Sequence, residues 1–228
     1  MSPRPHNLGK RQGPIDRCRQ QILDAARRLL ADSSSYTAFT VDSVAKTADV
    51  ARATVYYQFG SKAGLLEAVC DGLADAGQMS ELATAFTDPD PVGALRRFVG
   101  CFGRFWSADR AAMRRLRALA ALDPDVGAVI SARDKRREEG LTVLAGRLDG
   151  ASALATEPSH AVRVLFALTS FETFDALARP DQGLTAVIPD ILQLASTATA
   201  SHWRSSTASI SSGGTSSNSQ LEATRTVS

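Results

Sequence analysis

The sequence is short of the residues on which secreted, metal-dependent and membrane-borne proteins rely. It holds three cysteines, Cys18, Cys70 and Cys101, odd in number, far apart and without C-x-x-C spacing. That excludes a disulfide framework or a thiolate metal site and predicts buried thiols in a reducing compartment. The three histidines lack any partner at ligand spacing, so no metal and no cofactor is expected. No apolar run is long enough to span a bilayer, and the amino terminus has no signal-peptide h-region. A cytoplasmic protein with no membrane partner is the expectation. Strand alternation is missing, and so are G-x-S-x-G, a Walker loop and carboxylates that helices would hold together. An enzyme is therefore not expected. The acids around proline, Asp88-Pro89-Asp90 and Asp123-Pro124-Asp125, read as turns and N-caps.

What is present is helical periodicity and an uneven charge. The net charge is +2, yet residues 1–62 carry ten Lys and Arg against five Asp, a net of +5 that leaves −3 for the rest. A basic first third on a mildly acidic body suits a nucleic-acid-reading unit carried by a body that does not touch nucleic acid.

The stretch Thr40 to Lys62, TVDSVAKTADVARATVYYQFGSK, organises the chain. Thr40 can N-cap a short helix, its hydroxyl accepting an otherwise unpaired backbone N–H. Val41, Val44, Ala45 and Ala48 then fall at i, i+3, i+4 and i+7, one apolar stripe. Asp49 stands where the chain must turn and tolerates the left-handed conformation. A second helix follows from about Ala51, with Val55 and Phe59 inward and Arg52, Thr54, Tyr56, Tyr57 and Gln58 outward. Tyr56, next to Val55, can also pack partly inward. Gly60 stops this helix and Ser61 can cap the next. The pattern is a helix-turn-helix, whose second helix enters the DNA major groove.

VARATVYYQFGSK resembles the signature of the tetracycline-repressor (TetR) family of bacterial regulators, and ILDAARRLLAD upstream resembles its first helix. The resemblance is specific from about Asp16 to Leu73. It implies DNA contacts by Thr40, Arg52, Ala53, Thr54, Tyr56, Tyr57 and Gln58, with Lys62 on a phosphate. Three positions depart from the family pattern: Asp49 replaces the turn glycine, Ala51 the usual Ser cap, and Gly64 a Glu that often completes the next capping box.

The expected organisation is all-α, with a three-helix DNA-binding domain followed by a helical ligand-binding and dimerisation domain. Residues 1–15 read as a flexible basic arm in which Arg4, Lys10 and Arg11 either follow the DNA backbone or are incidental charges. Residues 16–76 form the helix-turn-helix domain. Its first helix, from about Asp16 to Ala31, turns Cys18, Ile22, Ala25, Ala26, Leu29 and Leu30 inward and Arg19, Arg27 and Arg28 outward, and Ser33-Ser34-Ser35 breaks it. Residues 77–200 form the second domain. Helices are expected at about 91–107, around Met113 to Ala120, and at about 124–149, the last with a solvated charged middle, RDKRREE. Two more, at about 158–178 and 184–200, close the fold. Residues 201–228, rich in Ser and Thr, read as a disordered tail.

The stretch 158–178 is apolar nearly all round, which demands a partner on its second face. The family resemblance implies a homodimer formed by the last two long helices as a four-helix bundle, with Phe171 and Phe174 at that interface. It also implies a small-molecule effector in the second domain that releases the protein from a palindromic double-stranded operator. Phe102, Trp106, Met113, Phe166 and Phe171 are the candidate lining, and the lack of charged residues among them points to an uncharged, apolar effector. The function expected is a ligand-responsive homodimeric repressor. The rival is a helical ligand-binding or interaction protein whose helix-turn-helix no longer reads DNA.

Overall fold

The computed structural model describes residues 9–31 and 39–200. The expected tail at 201–228, the Arg4 end of the arm and the Ser33–Ser35 break lie outside the described residues. The chain runs α1 (Gly9–Ala31), α2 (Val41–Thr47), α3 (Arg52–Phe59), α4 (Lys62–Ala76), α5 (Leu82–Thr87) and α6 (Pro91–Ala108). It continues through α7 (Arg110–Ala120), α8 (Pro124–Gly150), α9 (Pro158–Leu168), α10 (Phe171–Leu177) and α11 (Ile188–Thr199). Single 3₁₀ turns at Met79–Glu81 and Leu184–Val187 precede α5 and α11. Among the described residues the only bridge pairing is an isolated one between Leu154 and Ala200, so the protein is all-α, as its periodicity predicts. None of the described helices is long and apolar enough to cross a membrane.

Several helix starts have a local cause. Asp90 accepts from the amides of Val92 and Gly93, Asp109 from Ala112, and Asp123 from Asp125 and Val126. Pro91, Pro124, Pro158 and Pro189 occupy first turns, where the missing N–H costs nothing. The Asp-Pro-Asp segments are caps, and Pro189 begins a helix without kinking it.

Two expectations need correction. The helix expected from Asp16 begins at Gly9, so residues 9–15 are not a flexible arm, and Pro14 lies inside the helix. Apolar periodicity marks only the packed part of a helix, and the turns before Asp16 are not packed: Gly13, Pro14 and Ile15 are all exposed. The stretch 158–178 is two helices, broken at Thr169-Ser170. There the Ser170 hydroxyl caps α10 by accepting from Thr173 N and donates to Ala167 O. The break turns Phe171 and Phe174 into their own protomer. Phe174 is fully buried, and Phe171 packs edge-on against Trp106 of α6 with ring centroids 5.8 Å apart. Val164, Phe166 and Leu168 of α9 are only partly buried, and Leu177 of α10 is exposed.

The core is continuous. Ile22, Ala25, Ala26 and Leu30 of α1 meet Val44, Val55, Leu65 and Val69, and the same buried cluster runs on through Leu95, Phe98, Leu141, Leu144 and Leu165. Ion pairs tie the first four helices to the rest. Lys62 pairs with Asp123 at the start of α8, and Arg133 of α8 reaches Glu67 and Asp71 of α4 at 2.5 and 2.7 Å.

Candidate nucleic-acid interface and effector cavity

The helix-turn-helix is built as its residues suggest. Thr40 Oγ1 accepts from Ser43 N at 3.0 Å while Ser43 Oγ accepts from Thr40 N at 3.0 Å, a reciprocal capping box for α2. The turn residue Asp49 has φ 52°, the left-handed conformation that a glycine would supply at less cost. Gly60 ends α3 with φ 73°. Ser61 Oγ accepts from Gly64 N at 3.0 Å to cap α4. Gly64 fills its place for a steric reason, since a Cβ there would lie 2.1 Å from the carbonyl oxygen of Phe59. The corner between α3 and α4 is closed too tightly for the glutamate common elsewhere.

α1 holds both short helices by their carboxy-terminal ends. Gln21 donates to Ala48 O at 2.6 Å, and Arg19 donates to Gln58 O at 2.9 Å. The Arg19 guanidinium also lies 4.3 Å from the centre of the Phe59 ring. A cation on the last carbonyls of a helix complements its dipole. Arg19, expected to face outward, is instead half-buried beneath the recognition helix, because its long stem reaches past the α1 surface.

α3 turns Val55 inward and presents Arg52, Ala53, Tyr56 and Tyr57 to solvent, with Tyr57 80 % exposed. Thr54 and Gln58 are half-buried at the edges of the same surface. Arg52 is braced by Asp42 at 3.0 Å and by the Tyr56 hydroxyl at 3.2 Å. The hydrogen bond to Tyr56, and then the charge of Asp42, raise its pKa. Ala51 offers no side-chain cap, so the first amides of α3 carry no side-chain acceptor. Uncapped amides at a helix N-terminus suit a phosphate. The other two expected contacts sit differently. The Thr40 hydroxyl is committed to its capping box, and the Lys62 ammonium lies against Asp123, with Asp125 at 3.9 Å. The hydrogen bond from Lys62 holds the Asp123 carboxyl below the usual carboxylate range.

A cavity of about 250 Å³ opens between α4, α6 and α8. Of the candidate lining residues, Phe102 and Trp106 border it, together with Met79, Leu82 and Phe105. Met113 borders an adjoining hollow of about 30 Å³ that shares Phe105 and Trp106. Phe166 and Phe171 are not lining residues: Phe171 backs Trp106, and Phe166 stacks under Arg137 with the guanidinium 3.9 Å from its ring centre. The remaining wall is charged. Arg133, Asp134, Arg136 and Arg137 belong to the RDKRREE run that reads as solvated surface. Arg137 is 4 % exposed and donates to Phe166 O at 2.6 Å and Thr169 Oγ1 at 2.9 Å. Burial pushes its pKa down, and Asp134 works against that shift. The signal was in the spacing, because positions 126, 129, 133, 137, 141, 144 and 148 continue one helical stripe through the two arginines. Among the described residues no group of three or more His, Cys, Asp or Glu could hold a metal ion.

The same fold recurs in solved structures. Residues 22–69 match the family described as bacterial regulatory proteins, tetR family. No curated protein sequence matches the chain. Among solved structures, the TetR family transcriptional regulator PfmR from Thermus thermophilus is 24 % identical, with a TM-score of 0.56 over 76 % of this chain and 96 % of that one. A putative TetR-family regulator from Rhodococcus sp. is 17 % identical, with a TM-score of 0.63 over 80 % of this chain and 98 % of that one. A SmeT–triclosan complex is 19 % identical, with a TM-score of 0.62 over 81 % and 92 % of the two chains. Over residues 22–69 the chain matches the tetR family of bacterial regulatory proteins, and its fold is that of solved TetR-family regulators.

Proposed function

We propose that the protein is a ligand-responsive homodimeric repressor, acting in the cytoplasm on a palindromic double-stranded operator near its own gene. The observation that carries this reading is the surface of α3. Arg52, Ala53, Tyr56 and Tyr57 stand exposed on a helix fixed at its carboxy-terminal end by Arg19, with Thr54 and Gln58 at the rim. A short, rigid helix with aromatic and cationic side chains facing outward suits a major groove better than it suits water. The division of labour is residues 16–76 for DNA and 77–200 for effector and dimer. The thiols of Cys18, Cys70 and Cys101 are unpaired, which fits a reducing compartment.

The cavity between α4, α6 and α8 supports the ligand response. It lies against the helix that follows the reading head, so an occupant can favour one placement of α4 over another, the differential contact that allostery requires. A related fold is known with triclosan. The test is a footprint on a labelled fragment of the DNA upstream of the gene. Two protected half-sites about one helical turn apart, each taken by one protomer, are expected. A protein that retards this fragment no better than unrelated DNA at the same salt belongs to the rival, non-reading class.

A further inference from the structure

The charged wall of the cavity carries three arginines and a single carboxylate. Arg133 directs Nη2 to Glu67, at 2.5 Å, and to Asp71, at 2.7 Å, yet its Nε is buried without a partner. Arg137 is almost wholly enclosed and its Nε also has no partner. The carboxylate beside it, Asp134, is shared: one oxygen lies 2.7 Å from Arg117 and the other 3.3 Å from Arg137. Arg136 lines the same cavity, is exposed, and has no ion pair among the described residues. Three arginines therefore line an apolar hollow whose single lining carboxylate is already held by Arg117 and Arg137.

A cationic wall beside apolar aromatics, with its one carboxylate already paired, suits an occupant that brings its own negative charge. An uncharged apolar molecule would fill the aromatic side and leave Arg136 without a counter-charge. A cation would be repelled by the three arginines. A bare inorganic anion would leave Met79, Phe102, Phe105 and Trp106 without a partner. We propose that the cavity takes a small amphipathic anion, an acyl or aryl chain ending in a carboxylate, with its head on Arg133 and Arg136 and its tail on Phe102, Phe105 and Trp106. The expectation of an uncharged effector is thereby replaced, because it weighed only the aromatic residues.

The head group also reaches a connection to the DNA-reading end. Glu67 and Asp71 lie on α4, which begins at Lys62 directly after the recognition helix. A ligand carboxylate competes with them for Arg133 and loosens α4 from α8. This second half rests on the ligand-responsive reading above, whereas the identity of the ligand does not. The cavity, at about 250 Å³, falls below the range of roughly 300–1,000 Å³ usual for drug-sized ligands, so the fitting acids are short.

Isothermal titration of the full chain with hexanoate, octanoate and 3-phenylpropionate, each beside its primary amide and its amine, tests the ligand class. At least one acid is expected to bind roughly tenfold or more tightly than its amide, as a charge-assisted hydrogen bond implies, with no binding of the amines. Arg133→Gln and the exposed Arg136→Gln should each cut that preference to a few-fold. Acids that bind no better than their amides, or none that bind, overturn the proposal. So does an acid preference that survives both substitutions. Operator affinity measured with and without the best acid is read separately. An acid that binds through Arg133 and leaves operator affinity unchanged keeps the ligand class and rejects both the loosening of α4 and the ligand response.

Discussion

Lys62, the first residue of α4, is ion-paired with Asp123, the N-cap of α8, so the residue that follows the recognition helix is anchored to the body of the protein. This pair makes Lys62 a latch as well as a candidate phosphate contact. Asp123→Asn keeps a good cap and removes the carboxylate. The freed ammonium should tighten binding to nonspecific DNA and steepen its salt dependence by roughly 0.9 in log–log slope per subunit. Fluorescence anisotropy across a salt series measures this. An unchanged slope would mean that Lys62 reaches phosphate without leaving Asp123, or never reaches it.

The same pair gives a pH dependence of defined sign. The Asp123 carboxyl is held low by the hydrogen bond from Lys62, so its folded-state pKa lies below its unfolded value of about 3.9. Its contribution to stability is then complete above that value and is lost as pH falls through the lower folded-state pKa. The melting-temperature gap between wild type and Asp123→Asn should be constant from about pH 5 to 7 and shrink below about pH 4. A gap that persists in acid would place the effect in capping, which an ion pair does not explain.

Phe174 belongs to the protomer core. Phe174→Ala should cost about 3–5 kcal/mol of unfolding free energy, the range for a large buried aromatic. Urea unfolding at two protein concentrations tells this from an interface effect. Near-wild-type stability with a loss of association alone would return Phe174 to the dimer face.

Cysteine reactivity reports on the α4–α8 seam. Burial, the largest influence on Cys70, pushes its thiol up to about 11, and burial raises that of Cys101 as well. Cys18 is only half-buried. Iodoacetamide at neutral pH should label Cys18 first and leave Cys70 and Cys101 largely intact, as peptide mass spectrometry can measure, because the thiolate is the nucleophile. Rapid labelling of Cys70 in the native protein would mean that α4 opens from α8 unaided.

The helix-turn-helix was legible because its signals are local. A threonine cap, an aspartate at the turn and a glycine stop act within four residues of where they stand, and all three appear in the structure at those positions. What escaped depends on distant parts of the chain. Ser170 breaks an apolar run through its own cap, but the run around it hides the signal until α6 is seen to pack on Phe171 and Phe174. Arg137 looks like surface in RDKRREE, and only Phe166 and Thr169, brought from the end of α9, show that it is buried. Lys62 has the family's position for a phosphate contact, and its partner Asp123 lies 61 residues away. Short α5 lies within a stretch with no cap signal of its own, since Glu81 makes no side-chain bond there.

The most direct measurement of the central claim, that α3 reads DNA, is operator affinity for Tyr57→Ala and Thr54→Ala at fixed salt. Tyr57 makes no packing contribution to lose, being 80 % exposed, so its removal should leave the fold intact by circular dichroism. Each variant should lose roughly 1–3 kcal/mol of specific binding, about 5- to 150-fold, with nonspecific binding little changed. Specific affinities that match wild type for both variants would contradict the account and leave α3 a structural helix.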